Sequence, residues 1–142
     1  MAAYGSGGRF TRPADSEMWD NVSLDYEYPG GKLVSFMCRQ IPDTRGDNGN
    51  VIYGTKGTMY IAAMSGGSRI VDRDGKETWS MKGSISDAYK QEHKDLVDSI
   101  CTFFQGGEPP APWEDTLEIM ALIETGRKAM AQPEEWIEVS RG

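Results

Sequence analysis

Few side chains in this sequence are equipped for proton chemistry. His93 is the single histidine, and histidine is the side chain whose ordinary pKa lies closest to neutrality. It stands four residues after Tyr89 and three before Leu96, on an apolar stripe. Two roles suit that position. One is a structural ring packed at a helix–sheet seam through one hydrogen bond, and the other is a residue lining a pocket. Spacing ties no serine or cysteine nucleophile to it. Cys38 and Cys101 lie far apart with no CxxC pattern, and they read as two buried, reduced thiols. One histidine and two separated cysteines cannot assemble the four-ligand site zinc prefers. The other polar cluster is Arg39-Gln40, followed by a segment rich in Asp43, Arg45, Asp47 and Asn48. Loops leaving strand ends commonly carry ligand contacts. Arg39, Gln40, Arg45 and His93 are therefore the candidate substrate-binding residues. No residue qualifies as a catalyst, a cofactor ligand or a metal ligand.

Several short patterns look like motifs and lack the context a motif needs. Gly5-Ser6-Gly7-Gly8 has neither the preceding strand nor the spacing of a phosphate loop. Gly54-Thr55-Lys56-Gly57 fits a hairpin turn better than a Walker sequence. Arg45-Gly46-Asp47 spells the integrin tripeptide from three common loop residues, and Asn21-Val22-Ser23 is a glycosylation sequon without a sign of secretion.

The elements that must hold these residues follow from periodicity. Residues 1–20 carry glycines, Pro13 and little pattern, and read as an irregular leading segment. Val22, Leu24, Tyr26 and Tyr28 alternate with polar residues, which predicts a half-buried strand. Pro29-Gly30-Gly31 turns the chain into a second strand over Lys32 to Arg39. Val34, Phe36 and Cys38 lie on one face of it, and Leu33 and Met37 on the other. Val51 to Tyr53 and Thr58 to Ala62 read as a hairpin, as do Arg69 to Val71 and Glu77 to Trp79. Such short connections imply antiparallel pairing.

The period then becomes helical from Tyr89 to Phe104, with Ser86 or Asp87 as the expected cap and Gly106-Gly107 as the stop. A second helix runs from about Trp113 to Ala131, with Pro112 at its start and Pro133 beyond its end. A short strand around Trp136 to Val139 closes the chain. Strands first and helices after predict an α+β fold. Its form would be one large, mostly antiparallel sheet with two main helices packed on one face, in a single domain over residues 21–142.

Composition narrows the function. Net charge is −7 with no basic block. Phosphate neutralisation needs a positive face, so nucleic acid is not an expected partner. No apolar run approaches about 18 residues, so no membrane span is expected. The sequence shows no secretory signal, which points to the cytoplasm.

Five stretches in order resemble the C-terminal half of the Gfo/Idh/MocA oxidoreductases, relatives of glucose–fructose oxidoreductase and inositol dehydrogenase. They begin with Tyr26-Glu27-Tyr28-Pro29-Gly30-Gly31 and Ser35-Phe36-Met37-Cys38-Arg39-Gln40. Val51-Ile52-Tyr53-Gly54-Thr55-Lys56-Gly57-Thr58 and Glu92-His93-Lys94-Asp95-Leu96-Val97-Asp98-Ser99-Ile100 follow. The second helix with the Trp136 strand completes the order.

The resemblance implies a parent with an N-terminal Rossmann half binding NAD or NADP, a sugar or cyclitol substrate, and this domain as its substrate-side half. The family's catalytic lysine sits in an "EKP" motif, and its aspartate and histidine in "DxxxH". Neither motif occurs here, so no catalytic role passes to any residue, and this part alone is expected to hold no cofactor. The chain reads as beginning after the catalytic helix.

A homodimer through the sheet is also expected. Leu33 and Met37 make both faces of their strand apolar, and Tyr26, Tyr28, Tyr53 and Tyr60 add aromatic surface. Two other readings compete. One is a free-standing module for a small ligand or a protein partner, and the other is an adhesive protein using Arg45-Gly46-Asp47.

Overall fold

The computed structural model describes residues 1–46, 48–62, 67–81 and 85–140. Its elements are β1 (Ala2–Gly8), β2 (Asn21–Tyr28), β3 (Lys32–Arg39), β4 (Gly49–Tyr53), β5 (Gly57–Ala62), β6 (Arg69–Asp72) and β7 (Glu77–Ser80). Helices α1 (Ile85–Phe104) and α2 (Trp113–Ala131) follow, then β8 (Ile137–Glu138). The class is α+β with antiparallel sheets, as the order of periodicities predicts.

The strands form two four-stranded sheets, ordered β3-β2-β1-β8 and β4-β5-β6-β7, where one large sheet was expected. Short turns identify hairpin partners. They carry no information on whether strands joined by a longer connection, here β3 and β4, share a sheet. The sheets fall in two compact units, Met1–Thr44 with Ala111–Gly142 and Arg45–Pro110.

The first unit is assembled from distant parts of the chain. Its β2–β3 hairpin turns through Gly30 at φ 81° and Gly31 at φ 71°, a left-handed backbone that glycine adopts without strain. Residues 2–8, expected to be irregular, instead form β1 and pair with β2 on one side and β8 on the other. The strand gives little sequence signal because Ala3, Gly5 and Gly7 lack bulk. That lack is what the packing requires. A Cβ on Gly5 would lie 2.3 Å from Leu24 Cδ2, and one on Gly7 would lie 2.7 Å from the Trp19 ring.

Helix α2 covers β1, β8 and part of β2. It comes close because residue 126 is glycine. A Cβ there would meet the Tyr26 hydroxyl at 2.4 Å and Leu24 Cδ1 at 3.0 Å. Ala3, Leu24 and Ala129 form the buried core, flanked by Val22, Tyr26, Met130 and Ile137. Tyr26, expected on an open face, is thus half-buried beneath α2. Its hydroxyl donates to Leu122 O at 3.1 Å, and burial, then the charge of Tyr28, pushes its phenol pKa up. Val34 and Phe36 stand opposite Tyr26 and Leu24, on the same face. They remain half-exposed because α2 does not reach β3.

The second unit is local in its connections. Gly54 N donates to Gly57 O at 2.9 Å to close the β4–β5 turn. Asp72 Oδ1 accepts from the amides of Asp74 and Lys76 to shape the β6–β7 turn. Both hairpins match the sequence expectation. Helix α1 also forms where the period predicts, but among the described residues it contacts no strand of its own unit. The expectation that both helices pack on a sheet face therefore holds for α2 and not for α1. For the same reason Cys101, expected to be a buried thiol, is exposed on α1, while Cys38 is half-buried. The side chains proposed to cap α1, Ser86 and Asp87, lie outside the described residues.

Candidate functional site

One end of the first sheet gathers the densest polar structure in that unit. Gly8, Asn21 and Arg39 form a row across β1, β2 and β3. Asp20, just ahead of that row, is 2% exposed. Its carboxylate accepts from three successive backbone amides, Phe10 at 2.9 Å, Thr11 at 2.7 Å and Arg12 at 3.0 Å, and from the Thr11 hydroxyl at 2.7 Å. These donors, the Phe10 amide first, hold the Asp20 carboxyl well below the usual carboxylate range, against an opposing push from burial. The Asp20 main chain extends the knot. Its amide donates to Gly8 O at 3.1 Å, and its carbonyl accepts from Gln40 N at 2.9 Å.

Asp20 therefore ties together the end of β1, the loop after it and the end of β3. Arg39 is exposed at the last position of β3, and Gln40, also exposed, follows it. The adjoining loop adds Arg9, which donates to Ser16 O, and Arg12, whose Nε is buried without a partner among the described residues. Phe10 and Met18 present exposed apolar surface on the same loop. The arrangement offers guanidinium and amide donors next to aromatic surface on a loop fixed by a buried anion. That chemistry suits holding a polar ligand.

The sequence singled out Arg39 and Gln40 but missed Asp20. Its signal was a lone aspartate ahead of a strand, and its partners stand eight to ten residues away. No short pattern couples residues at that distance.

The remaining predicted site residues lie in the second unit. Arg45 is exposed in the segment leading to β4. Asp47, which completes the tripeptide Arg45-Gly46-Asp47, lies outside the described residues. His93 is exposed on α1, so the expected position at a helix–sheet seam is not the one found; α1 has no strand of its unit against it. Its Nδ1 lies 2.7 Å from Tyr89 O, and its ring stacks on Tyr89 with centroids 5.8 Å apart. A carbonyl only accepts, so Nδ1 carries the proton and Nε2 is the open nitrogen of the neutral ring.

A shallow hollow of about 530 Å³ further along α1 is lined by Asp95, Asp98, Ser99, Thr102, Glu108 and Pro109 with Pro110, and includes none of the predicted residues. At its edge the Asp98 carboxylate hydrogen-bonds Lys94 and raises its pKa, chiefly through that bond and then through its charge. Among the described residues no cluster of histidine, cysteine or carboxylate side chains is arranged to hold a metal ion. No described helix is long and apolar enough to cross a membrane.

No family model matches the chain, and no curated protein matches it. Among solved structures, the chain is similar to a crystal structure from Klebsiella pneumoniae described as a "putative oxidoreductase". The TM-score is 0.68 at 14% identity, over 98% of this chain and 43% of that one. The chain thus spans less than half the length of that protein. A likeness at this identity shows a shared fold.

Proposed function

We propose that this chain is the substrate-side and dimerisation part of a nicotinamide-dependent oxidoreductase of the Gfo/Idh/MocA type, acting on a sugar or cyclitol. The observation that carries the reading is the fold shared along 98% of the chain with part of a protein described as an oxidoreductase. The five ordered stretches from Tyr26 to the Trp136 strand support the narrower family. In this role Arg39 and Gln40 supply hydrogen-bonding groups to the substrate. Guanidinium and amide groups suit a hydroxyl-rich ligand, because each offers fixed donors to several oxygens.

NAD or NADP would carry the hydride, and the protein would position it. The described residues of this chain do not fit that cofactor. A pyrophosphate cradle needs a glycine-rich turn between a strand and a helix. Here Gly5-Ser6-Gly7-Gly8 lies inside β1, paired residue for residue with β2. The cofactor site therefore belongs to another part of the parent enzyme.

Isothermal calorimetry tests this division. The 142-residue chain alone is expected to show no measurable heat with NAD or NADP, and micromolar binding would overturn the reading. A reading frame continuing upstream into a strand–GxGxxG–helix unit supports it. A natural start at Met1 would favour a free-standing ligand- or protein-binding module.

A further inference from the structure

We propose that the face of the first sheet turned away from α2 is a carbohydrate-binding surface, with Tyr4 and Trp136 as its stacking platform and Asp25 as its hydroxyl acceptor. This goes beyond the reading above, which puts the sugar contacts on Arg39 and Gln40. Side chains alternate between the two faces along each strand. Ala3 and Leu24 are buried on the α2 side. Tyr4 and Asp25, each one residue further on, therefore lie on the opposite face, where Tyr4 is 36% exposed. Tyr4 pairs directly with Asp25, and Asp25 with Ser35, so the three form one row across β1, β2 and β3. Trp136, just ahead of β8, extends that row. Its ring lies 5.6 Å from the Tyr4 ring between centroids, tilted by 37°, and it is 49% exposed. Ser6 and Ser23 pair in the next row of the same face. Among the described residues α2 is the only helix in contact with this sheet, and it lies on the other side.

The row holds the groups that sugar recognition uses. A pyranose with equatorial hydroxyls carries C–H bonds on its ring faces and hydroxyls around its edge. The C–H face suits the negative face of an aromatic ring, and two adjoining rings offer more of it than one. Neighbouring strands stand about 4.8 Å apart, so a sugar lying flat on Tyr4 brings its hydroxyl edge to Asp25. The Ser35 hydroxyl donates to Asp25 Oδ1 and steadies the carboxylate. A carboxylate has about four acceptor sites, so most remain for vicinal hydroxyls of a ligand. Ser6 and Ser23 add hydroxyls that both donate and accept.

A small polyhydroxylated ligand fits this face better than a protein does. Interface cores are enriched in tyrosine and tryptophan but depleted of serine and aspartate, and here the aromatic pair stands directly beside both. Exposed Leu33 and Met37 flank Ser35 on β3 and make a second copy the competing occupant. Arg39 shares the face but stands four residues beyond Ser35, about 13 Å along the strand, so the platform is a subsite distinct from it.

Heteronuclear NMR of the isotope-labelled full chain, titrated with methyl β-D-glucopyranoside, tests the surface. Weak, millimolar binding is expected, with shifts gathered on Tyr4, Asp25, Ser35 and the Trp136 indole. Sorbitol has similar hydroxyls without a rigid ring face and should bind about tenfold more weakly. Trp136→Ala and Asp25→Ala, each confirmed folded by circular dichroism, should each weaken glucoside binding by about tenfold. Trp79→Ala, which removes a half-exposed tryptophan from the other sheet, should leave it unchanged.

Should a variant unfold, the wild-type shift map and the sorbitol comparison decide. Shifts confined to Arg39, Gln40 and the loop ahead of β2 overturn the platform and leave the sugar reading intact. Equal binding of sorbitol, or no shift with the glucoside, also overturns it, and the division tested with NAD is untouched. Shifts on this face that follow protein concentration and not sugar assign it to a second copy, which overturns it too.

Discussion

The two units of this chain solve the problem of holding a sheet in different ways. The first pairs β1 with β8 from the opposite end of the sequence and covers them with α2. It buries Ala3, Asp20, Leu24, Thr125 and Ala129. The second pairs four consecutive strands, with well-formed turns between β4 and β5 and between β6 and β7, yet none of its described residues is buried. Turn chemistry sets register, because it acts over a few residues. Burial needs a second layer, and that layer comes from a distant segment or from another molecule. A sheet with an apolar face and no cover lacks the main favourable term of folding.

The largest expected effect tests the layer that only the first unit has. Gly126→Val places side-chain atoms where the Tyr26 hydroxyl and Leu24 already stand. It should cost about 3 kcal/mol in urea unfolding, as overpacking a tight contact does. A loss under about 1 kcal/mol would mean that α2 is no more closely docked than α1, and the contrast between the units would fall.

Next in size is Asp20→Asn. The amide presents donors to three backbone amides that need an acceptor, so stability should drop at neutral pH. The sign of the pH dependence follows from the lowered carboxyl pKa. Its stabilisation is fully present above the ordinary carboxylate value, about 4, and is lost as pH falls toward the lower folded-state value. The wild-type chain should therefore lose stability on acidification through that window, and Asp20→Asn should lose less. Thermal melts between neutral and strongly acidic pH read the difference. Parallel curves would show that the knot around Asp20 contributes nothing to the first unit.

The smallest effect belongs to the second unit. His93→Leu removes an exposed ring with one hydrogen bond to its own helix. It should shift stability by less than about 1 kcal/mol. In the oxidoreductase proposed above, a fall in turnover without loss of fold would make His93 a pocket residue, while unchanged kinetics would leave it structural.

Much of this architecture was legible locally. Alternation in Val22 to Tyr28, the Pro29-Gly30-Gly31 turn, the Gly54–Gly57 hairpin and both helices are each written within a dozen or so residues, and each formed. Strand β1 was not legible, because its small residues make sense only against Leu24, Trp19 and α2. Of the candidate site, Arg39 and Gln40 could be read from their place at a strand end. Asp20 could not, because its importance lies in donors supplied by a loop that had no pattern of its own.

Periodicity and turn residues alone determined the α+β class, the antiparallel hairpins and the two helices, since these depend on interactions between near neighbours. Tertiary structure alone decided that the strands divide into two sheets, that β1 is a central strand and that α2 docks through Gly126. It also decided that α1, among the described residues, packs on no strand of its own unit. Those outcomes depend on which distant surfaces meet, and an apolar side chain in a sequence shows that it needs burial without showing what will bury it.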